Sequence, residues 1–341
     1  MEARERVKEA IEAFKKGKML IVMDDEDREN EGDLVYAGIF STPEKVNFMA
    51  TEARGLICVS ITQELATQLE LSPMVSHNDS NHHTAFTVSI DARDATTGIS
   101  AYERNMTISL MCDPNSKPSD FVRPGHIFPL VAKEGGVLVR TGHTEASIDL
   151  CKLAGLAPVA VICEMMKSDG SMARRGDRFI FDFAQKHNLK TLYVSDLVQY
   201  RLHHENLISE IAQEDTSLCA IKAKKIIFKD HLQRFYEIFA FEGSKKNLPL
   251  VRFHHQKKDT ELLGDLKNYE HFRRSLELIS RDGGYLIVLP SKEEEEKTFG
   301  IGAQILKLLG VGEFALLSSR KDQDYRALSG FGVKITQVIV L

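Results

Sequence analysis

An apolar run, Met19-Leu20-Ile21-Val22-Met23, gives way at once to Asp24-Asp25-Glu26-Asp27-Arg28-Glu29-Asn30-Glu31-Gly32-Asp33, and this junction constrains the fold more than any other stretch. The apolar residues read as a buried strand. Carboxylates crowded at its end repel one another at short range, so the strand is poorly placed unless a cation, a bound ligand or an arginine offsets them. A divalent metal together with a polyhydroxylated or phosphorylated substrate meets that need. Acidic runs in general are solvated surface turns. Here Arg28 lies inside the run, Gly32 supplies a tight turn and the strand leads directly into it, all of which favour a binding site.

A chain of 341 residues is long enough for two domains, each with a core of its own. Its 44 basic and 49 acidic residues leave a net charge of -5, which supplies no broad electrostatic surface for nucleic acid or for an anionic membrane. No apolar run approaches the roughly 20 residues of a membrane span. The N-terminal segment Met1-Glu2-Ala3-Arg4-Glu5-Arg6-Val7 reads as an amphipathic helix, not as a secretory signal. Five cysteines without a Cys-x-x-Cys pair point to reduced thiols. These features predict a cytoplasmic protein with no nucleic-acid and no membrane partner.

Up to about residue 206 the chain repeats a short β-rich apolar run, a polar loop and often a helical segment. The pattern predicts an α+β chain, with a mixed-sheet α/β first domain over residues 1–206 and a smaller α+β domain over 207–341. Three predicted strand ends carry reactive groups. Met19 to Met23 leads into the acidic loop, Val137-Leu138-Val139 into Arg140-Thr141-Gly142-His143-Thr144, and Val159-Ala160-Val161-Ile162-Cys163 into Glu164. Strand ends are held by the sheet yet open to a cleft, so their convergence would assemble one site.

Glu145 to Ala154 reads as a helix, with Thr144 at or near its N-cap and Gly155 as its C-cap. The free N–H groups of its first turn, with Arg140 and the Thr144 hydroxyl, would suit a phosphate monoester. His143 would sit at the mouth of that pocket or else be a satisfied turn histidine. His126 is predicted in a turn with Pro124 and Gly125, as a candidate acid or base or as a structural residue. Thr84 to Ile90 alternate as a strand, with His82 and His83 in the polar loop before it. Cys58 reads as a small buried hydrophobe in a strand. The turn Thr96-Thr97-Gly98 offers hydroxyls for a substrate or for a cap.

Several of these segments, in their order, resemble one family. They are Asp25 to Asp33, Arg54-Gly55-Leu56-Ile57-Cys58-Val59, Thr84 to Asp91, Arg123 to Leu130, Arg140 to Thr144, Val161 to Glu164 and Asp169-Gly170-Ser171-Met172-Ala173-Arg174. Together they resemble 3,4-dihydroxy-2-butanone 4-phosphate synthase. The resemblance implies conversion of D-ribulose 5-phosphate into 3,4-dihydroxy-2-butanone 4-phosphate and formate, the four-carbon supply of riboflavin. It implies Mg2+ or Mn2+ held by Glu29 and His143. Substrate contacts fall on Arg28, Glu29, Asp33, Arg140, Thr141, Gly142, His143, Thr144 and Glu164, and the residues essential for catalysis on His126 and Glu164. A homodimer is also implied, with His126 reaching into the partner's site. One departure is the segment Asp91 to Ser100, which is shorter than in the family, so a role for Thr97 is not carried over.

Beyond Gln199 the chain becomes polar. Gly300 to Gly312, Leu328 to Val333 and the strand Leu250-Val251-Arg252-Phe253-His254 resemble parts of GTP cyclohydrolase II. That enzyme holds zinc with three cysteines, and a catalytic zinc needs about three protein ligands. Here only Cys219 is present, well before the expected place, where His255 to Asp265 stand instead. His254 and His255, adjacent on a strand, would face apart. The family's Gln-Glu-Gly-Arg segment is replaced by Ser291-Lys292-Glu293-Glu294-Glu295-Glu296-Lys297, read as solvated surface. The sequence therefore predicts one working synthase with a degenerate second domain. A bifunctional enzyme that also hydrolyses GTP is the alternative, and a noncatalytic scaffold is a third reading.

Overall fold

The computed structural model describes residues 3–341 apart from positions 26–27, 206, 232, 245–247, 257–263, 265, 290–294 and 320–332, and the backbone alone for 295–300. It divides into two compact units, Met1–Tyr200 and Arg201–Leu341.

In the first unit, β1 (Leu20–Met23), β2 (Gly32–Ala37), β3 (Cys58–Ile61), β4 (Ile90–Ala92), β5 (Phe121–Val131), β6 (Ala160–Glu164) and β7 (Lys190–Tyr193) form one mixed sheet in the order β4-β5-β3-β6-β2-β1-β7. The helices are α1 (Ala3–Lys15), α2 (Pro43–Phe48), α3 (Gln63–Gln68), α4 (Ala101–Cys112), α5 (His143–Leu153) and α6 (Arg178–His187), and α7 (Val194–His204) runs across the Tyr200/Arg201 division. Every residue of β1 and β2 is buried. A strand covered on both faces is apolar throughout instead of alternating, which explains the run that opens the acidic loop. In α1, Val7, Ala10, Ile11 and Phe14 recur at helical spacing and are buried together.

Register sets the site. β1 and β2 pair antiparallel with Met23 opposite Gly32, so the acidic segment is the connection of a hairpin. β2 then pairs with β6, which sets Asp33 directly opposite Glu164. Residues 24, 33 and 164 thus reach one edge of the sheet from three adjacent strand ends.

Three local expectations are corrected. Val137 to Val139 form no strand: Gly136–Leu138 is a 3-10 turn, because Gly135 and Gly136 at φ +90 and +63 divert the chain and the Val137 N–H donates to Asp149 at 2.8 Å. Thr84 to Ile90 are not one strand either. Phe86 and Thr87 make isolated bridges and β4 begins only at Ile90, since the neighbouring Pro129 has no N–H to extend a ladder. The helix expected from Glu145 starts two residues earlier, with Gly142 and not Thr144 as N-cap. It ends at Leu153 with Ala154 as C-cap, and Gly155 follows at φ +70.

In the second unit, β8 (Ile208–Leu218), β9 (Ile221–Asp230), β10 (Phe235–Phe241), β11 (Leu250–His255), β12 (Gly284–Leu289), β13 (Glu313–Ser318) and β14 (Lys334–Val340) form a second mixed sheet in the order β14-β13-β11-β12-β10-β9-β8. Phe241, Leu250, Leu276, Ile279 and Leu286 are central to its core. His254 and His255 lie in β11 as expected. Most of the His255 to Asp265 segment, Ser291 to Glu294 and Leu328 to Gly332 lie outside the described residues. Glu295 to Lys297, expected in a charged loop, begin the helix Glu295–Leu308. Among the described residues no helix is long and apolar enough to cross a membrane.

Candidate active site

Asp24, Glu29 and His143 each present a ligand atom within 4.8 Å of the others, as the only such group found among the described residues. His143 Nδ1 lies 3.8 Å from Glu29 Oε2 and 3.7 Å from Asp33 Oδ1. His143 Nε2 and Asp33 Oδ1 are buried without a hydrogen-bond partner. Orphaned buried polar atoms cost about 1–3 kcal/mol each, so a cluster like this is unfavourable unless something else binds there. Two carboxylates and an imidazole are a donor set that suits magnesium or manganese. Arg28 partly offsets the charge: its Nη1 donates to Asp24 at 2.5 Å and to Glu29 at 2.9 Å. Glu26 and Asp27, part of the same loop, lie outside the described residues.

The electrostatics follow from this crowding. Burial opposes ionisation of Glu29, but the imidazole of His143 and the guanidinium of Arg28 outweigh it and hold the carboxyl at about 2. Burial raises Asp33 well above the usual carboxylate range. Burial also works to lower His143, yet the Asp33 and Glu29 carboxylates raise it overall. Asp33 and His143 are thus both shifted toward their protonated forms, a tendency that an added cation would oppose.

Glu164, at the end of β6, is fixed by a backbone donor: the Leu56 N–H donates to its Oε2 at 2.9 Å. Gly55 makes this approach possible, since a Cβ there would run into the Glu164 backbone and carboxylate. Cys58 is buried in β3, and burial pushes its thiol well above the usual range. A packing role for it accords with this setting.

The Arg140 segment contributes differently from the sequence expectation. Arg140 Nη1 donates to the buried Glu145 at 2.6 Å, and its remaining donors reach the His82 carbonyl and the Thr84 hydroxyl. Its guanidinium is thus held by protein groups, as a positive wall of the cleft. No side chain caps α5, whose N-terminus follows Gly142, so its first-turn N–H groups are suited to an anion. A cleft of about 430 Å³ is lined by Arg28, Glu29, Glu31, Asp33, His82, Thr84, Arg140, His143, Thr144 and Glu164 beside Phe86, Leu130 and Ile162. That volume matches a small ligand. Thr141 and Gly142 connect Arg140 to α5 without lining it. His82 and Thr84 join through Arg140, a contact that no local sequence signal announces. A wider cleft of about 1140 Å³ lies in the second unit, whereas Glu29 and His143, two of the three groups that could hold a cation, line the smaller one.

His126 is not among the residues lining this cleft within one chain. The turn expected around it is a bulge inside β5: pairing with β4 moves from Ile127 to Val122, so residues 123–126 leave the ladder. Thr96 and Thr97 are bound to Glu103 through their hydroxyls.

The 3,4-dihydroxy-2-butanone 4-phosphate synthase family matches residues 8–200, and the GTP cyclohydrolase II family matches only residues 290–340. A 3,4-dihydroxy-2-butanone 4-phosphate synthase of Helicobacter pylori is 62% identical over 98% of this chain and 99% of its own. Among solved structures, a two-domain 3,4-dihydroxy-2-butanone 4-phosphate synthase from A. baumannii, RibBX, is similar with a TM-score of 0.85 at 37% identity, over 98% of this chain and 99% of its own. A second, 3,4-dihydroxy-2-butanone 4-phosphate synthase in complex with two magnesium ions, is 42% identical with a TM-score of 0.52 over 56% of this chain and 94% of its own. The chain belongs to the 3,4-dihydroxy-2-butanone 4-phosphate synthase family of riboflavin biosynthesis.

Proposed function

We propose that the smaller cleft converts D-ribulose 5-phosphate into 3,4-dihydroxy-2-butanone 4-phosphate and formate, using Mg2+ or Mn2+. The observation that carries the reading is the meeting of Glu29, His143 and Asp33 with Glu164 and the open N-terminus of α5 in one cleft. Glu29 and His143 would hold the ion, with Asp24 as a third donor within reach. When bound, the ion supplies Lewis-acid polarisation of substrate oxygens beside the reacting carbons.

The chain's own residues divide the remaining work. The α5 N–H groups and the Thr144 hydroxyl bind the phosphate, with Arg140 as positive charge behind them. Anchoring that end keeps the reactive carbons in register over several steps. Glu164, one oxygen fixed by Leu56, offers the other to carbon-bound and hydroxyl protons during enolisation, water loss and skeletal rearrangement. Asp33, raised by burial, shares that proton traffic. His126 acts in the later steps that release formate. It comes from a partner subunit, a reading supported by its place outside the cleft and its 44% side-chain exposure. Exposed Ile99, Tyr102, Met106 and Val122, on or beside α4 and β5, add apolar surface for a homodimer.

We read the domain boundary at residues 206/207, near the division of the chain into two units at Tyr200/Arg201, and the second domain as a cyclohydrolase II relative without the zinc cysteines, Cys219 being its single cysteine. A cytoplasmic location goes with this reading and with cysteines that are free. The test compares formate release from D-ribulose 5-phosphate and from GTP, with added magnesium or zinc, in the wild type and in His143→Ala. Metal-dependent release from the sugar phosphate alone, abolished in His143→Ala, is the expected result. Full activity of the variant would refute the ligand assignment, and GTP-dependent formate with stoichiometric zinc would establish the bifunctional alternative.

A further inference from the structure

We propose that Asp91 is a positioning residue that fixes the tautomer and orientation of the His126 imidazole, making Nε2 the nitrogen that exchanges a proton with substrate. The inference rests on the reading of His126 given above. One carboxylate makes two bonds to one residue: Asp91 Oδ1 accepts the His126 backbone N–H at 2.8 Å, and Oδ2 lies 2.7 Å from ring Nδ1. An ionised carboxylate only accepts, so Nδ1 carries the hydrogen and the lone pair falls to Nε2. The Asp91 side chain is 8% exposed while the His126 side chain is 44% exposed. The carboxylate belongs to the fold, and the ring is presented outward.

The surroundings hold this pair from three sides. The bulge of β5 carries His126 out of the ladder with β4. Gly125 packs so closely on the Ile90 and Asp91 backbones that a Cβ there would collide with them, and its N–H reaches Ser89 Oγ at 3.2 Å. Gly98, at φ +78, lies against the pair: a Cβ would overlap Asp91 Oδ2 and come 2.8 Å from His126 Nδ1. The loop holding Gly98 is itself tied down, because Glu103 accepts the N–H groups of Thr96, Thr97 and Gly98 and the hydroxyls of Thr96, Thr97 and Ser100. A purely structural Asp91 would need only the backbone bond. The bond to Nδ1 sets the ring.

Asp91→Asn separates the two roles. The amide oxygen can still accept the His126 backbone N–H, but the amide nitrogen donates toward Nδ1 and moves the ring hydrogen to Nε2. Expected in the wild type is an Nδ1–H tautomer of His126 by 15N NMR of histidine-labelled protein. Expected in Asp91→Asn is the opposite tautomer and a fall in kcat for formate release from D-ribulose 5-phosphate of about 100-fold or more, with KM changed by less than about threefold. An Nε2–H tautomer in the wild type, which needs no variant to fold, would overturn the proposal. So would unchanged kcat in folded Asp91→Asn when His126→Asn is inactive. Unchanged kcat in His126→Asn would instead remove the reading of His126, and the proposal with it.

Discussion

Gly55→Ala perturbs the candidate active site without touching Glu29 or His143, the proposed metal ligands. A Cβ at residue 55 would lie 2.7 Å from Glu164 Oε2 and 2.8 Å from the Glu164 backbone N, and closer still to the Glu164 carbonyl oxygen. Two of these three atoms are backbone, so a side-chain rotation cannot relieve the overlap. The end of β6 or the Gly55–Leu56 turn must retreat by about 1 Å, and the Leu56 N–H bond to Glu164 is lengthened or lost. Overpacking costs about 1–3 kcal/mol, and a hydrogen bond to a charged group contributes about 1.5–3 kcal/mol. In a unit of this size each kcal/mol lowers Tm by about 2–4 °C. A 1 Å displacement of a reacting group costs on the order of 100-fold in rate. The variant should therefore melt several degrees lower, bind Mg2+ by calorimetry as the wild type does, and release formate about 100-fold more slowly. A folded variant with wild-type kcat would refute the claim that Leu56 and Gly55 hold Glu164 in its working position.

Arg140→Met leaves Glu145, 1% exposed in its side chain, without its 2.6 Å partner; only the Lys133 N–H remains to satisfy it. Breaking such a pair costs about 3 kcal/mol or more, which urea unfolding should record and Arg140→Met/Glu145→Gln should largely restore. Equal stability of Arg140→Met and wild type would contradict the pairing. Glu103 is held at about 2 by the Thr96 hydroxyl first, then the Thr96 N–H, with Ser100 and Thr97 adding to it. Since its folded value is depressed, the stability it gives is present above its unfolded value and lost as pH falls toward 2. The Tm gap between wild type and Glu103→Gln should thus be full at pH 6 and shrink through pH 4 to pH 2; a gap that widens on acidification would show the sign to be wrong.

Different parts of this molecule were legible to different degrees. β1 and its acidic loop could be read because burial on both faces demands an apolar run and an uncompensated cluster of carboxylates demands a partner. Val137 to Val139 read as a strand from composition alone, whereas Gly135 and Gly136 turn the chain before a ladder can form. α5 is buried from His143 to Cys151 although it contains Thr144, Glu145, Ser147 and Asp149. Glu145, Asp149 and Ser147 are satisfied by Arg140, by the Lys133 and Val137 N–H groups and by the Thr144 carbonyl, so no amphipathic pattern marks the helix. The meeting of His143 with Glu29 and Asp33, like that of Asp91 with His126, depends on sheet register between distant segments. Neither spacing nor periodicity encodes such contacts; the family resemblance anticipated the first and gave no hint of the second.

The proposed chemistry depends most on Glu29 and His143 gripping one divalent ion beside the sugar phosphate. Anomalous diffraction at the manganese edge, from crystals soaked with Mn2+ and D-ribulose 5-phosphate, tests this directly. The expected result is a manganese peak within coordinating distance, about 2.0–2.3 Å, of a Glu29 oxygen and a His143 ring nitrogen, with substrate oxygens completing the sphere. A peak that touches neither residue, or one that touches Glu29 while His143 binds nothing, would contradict it.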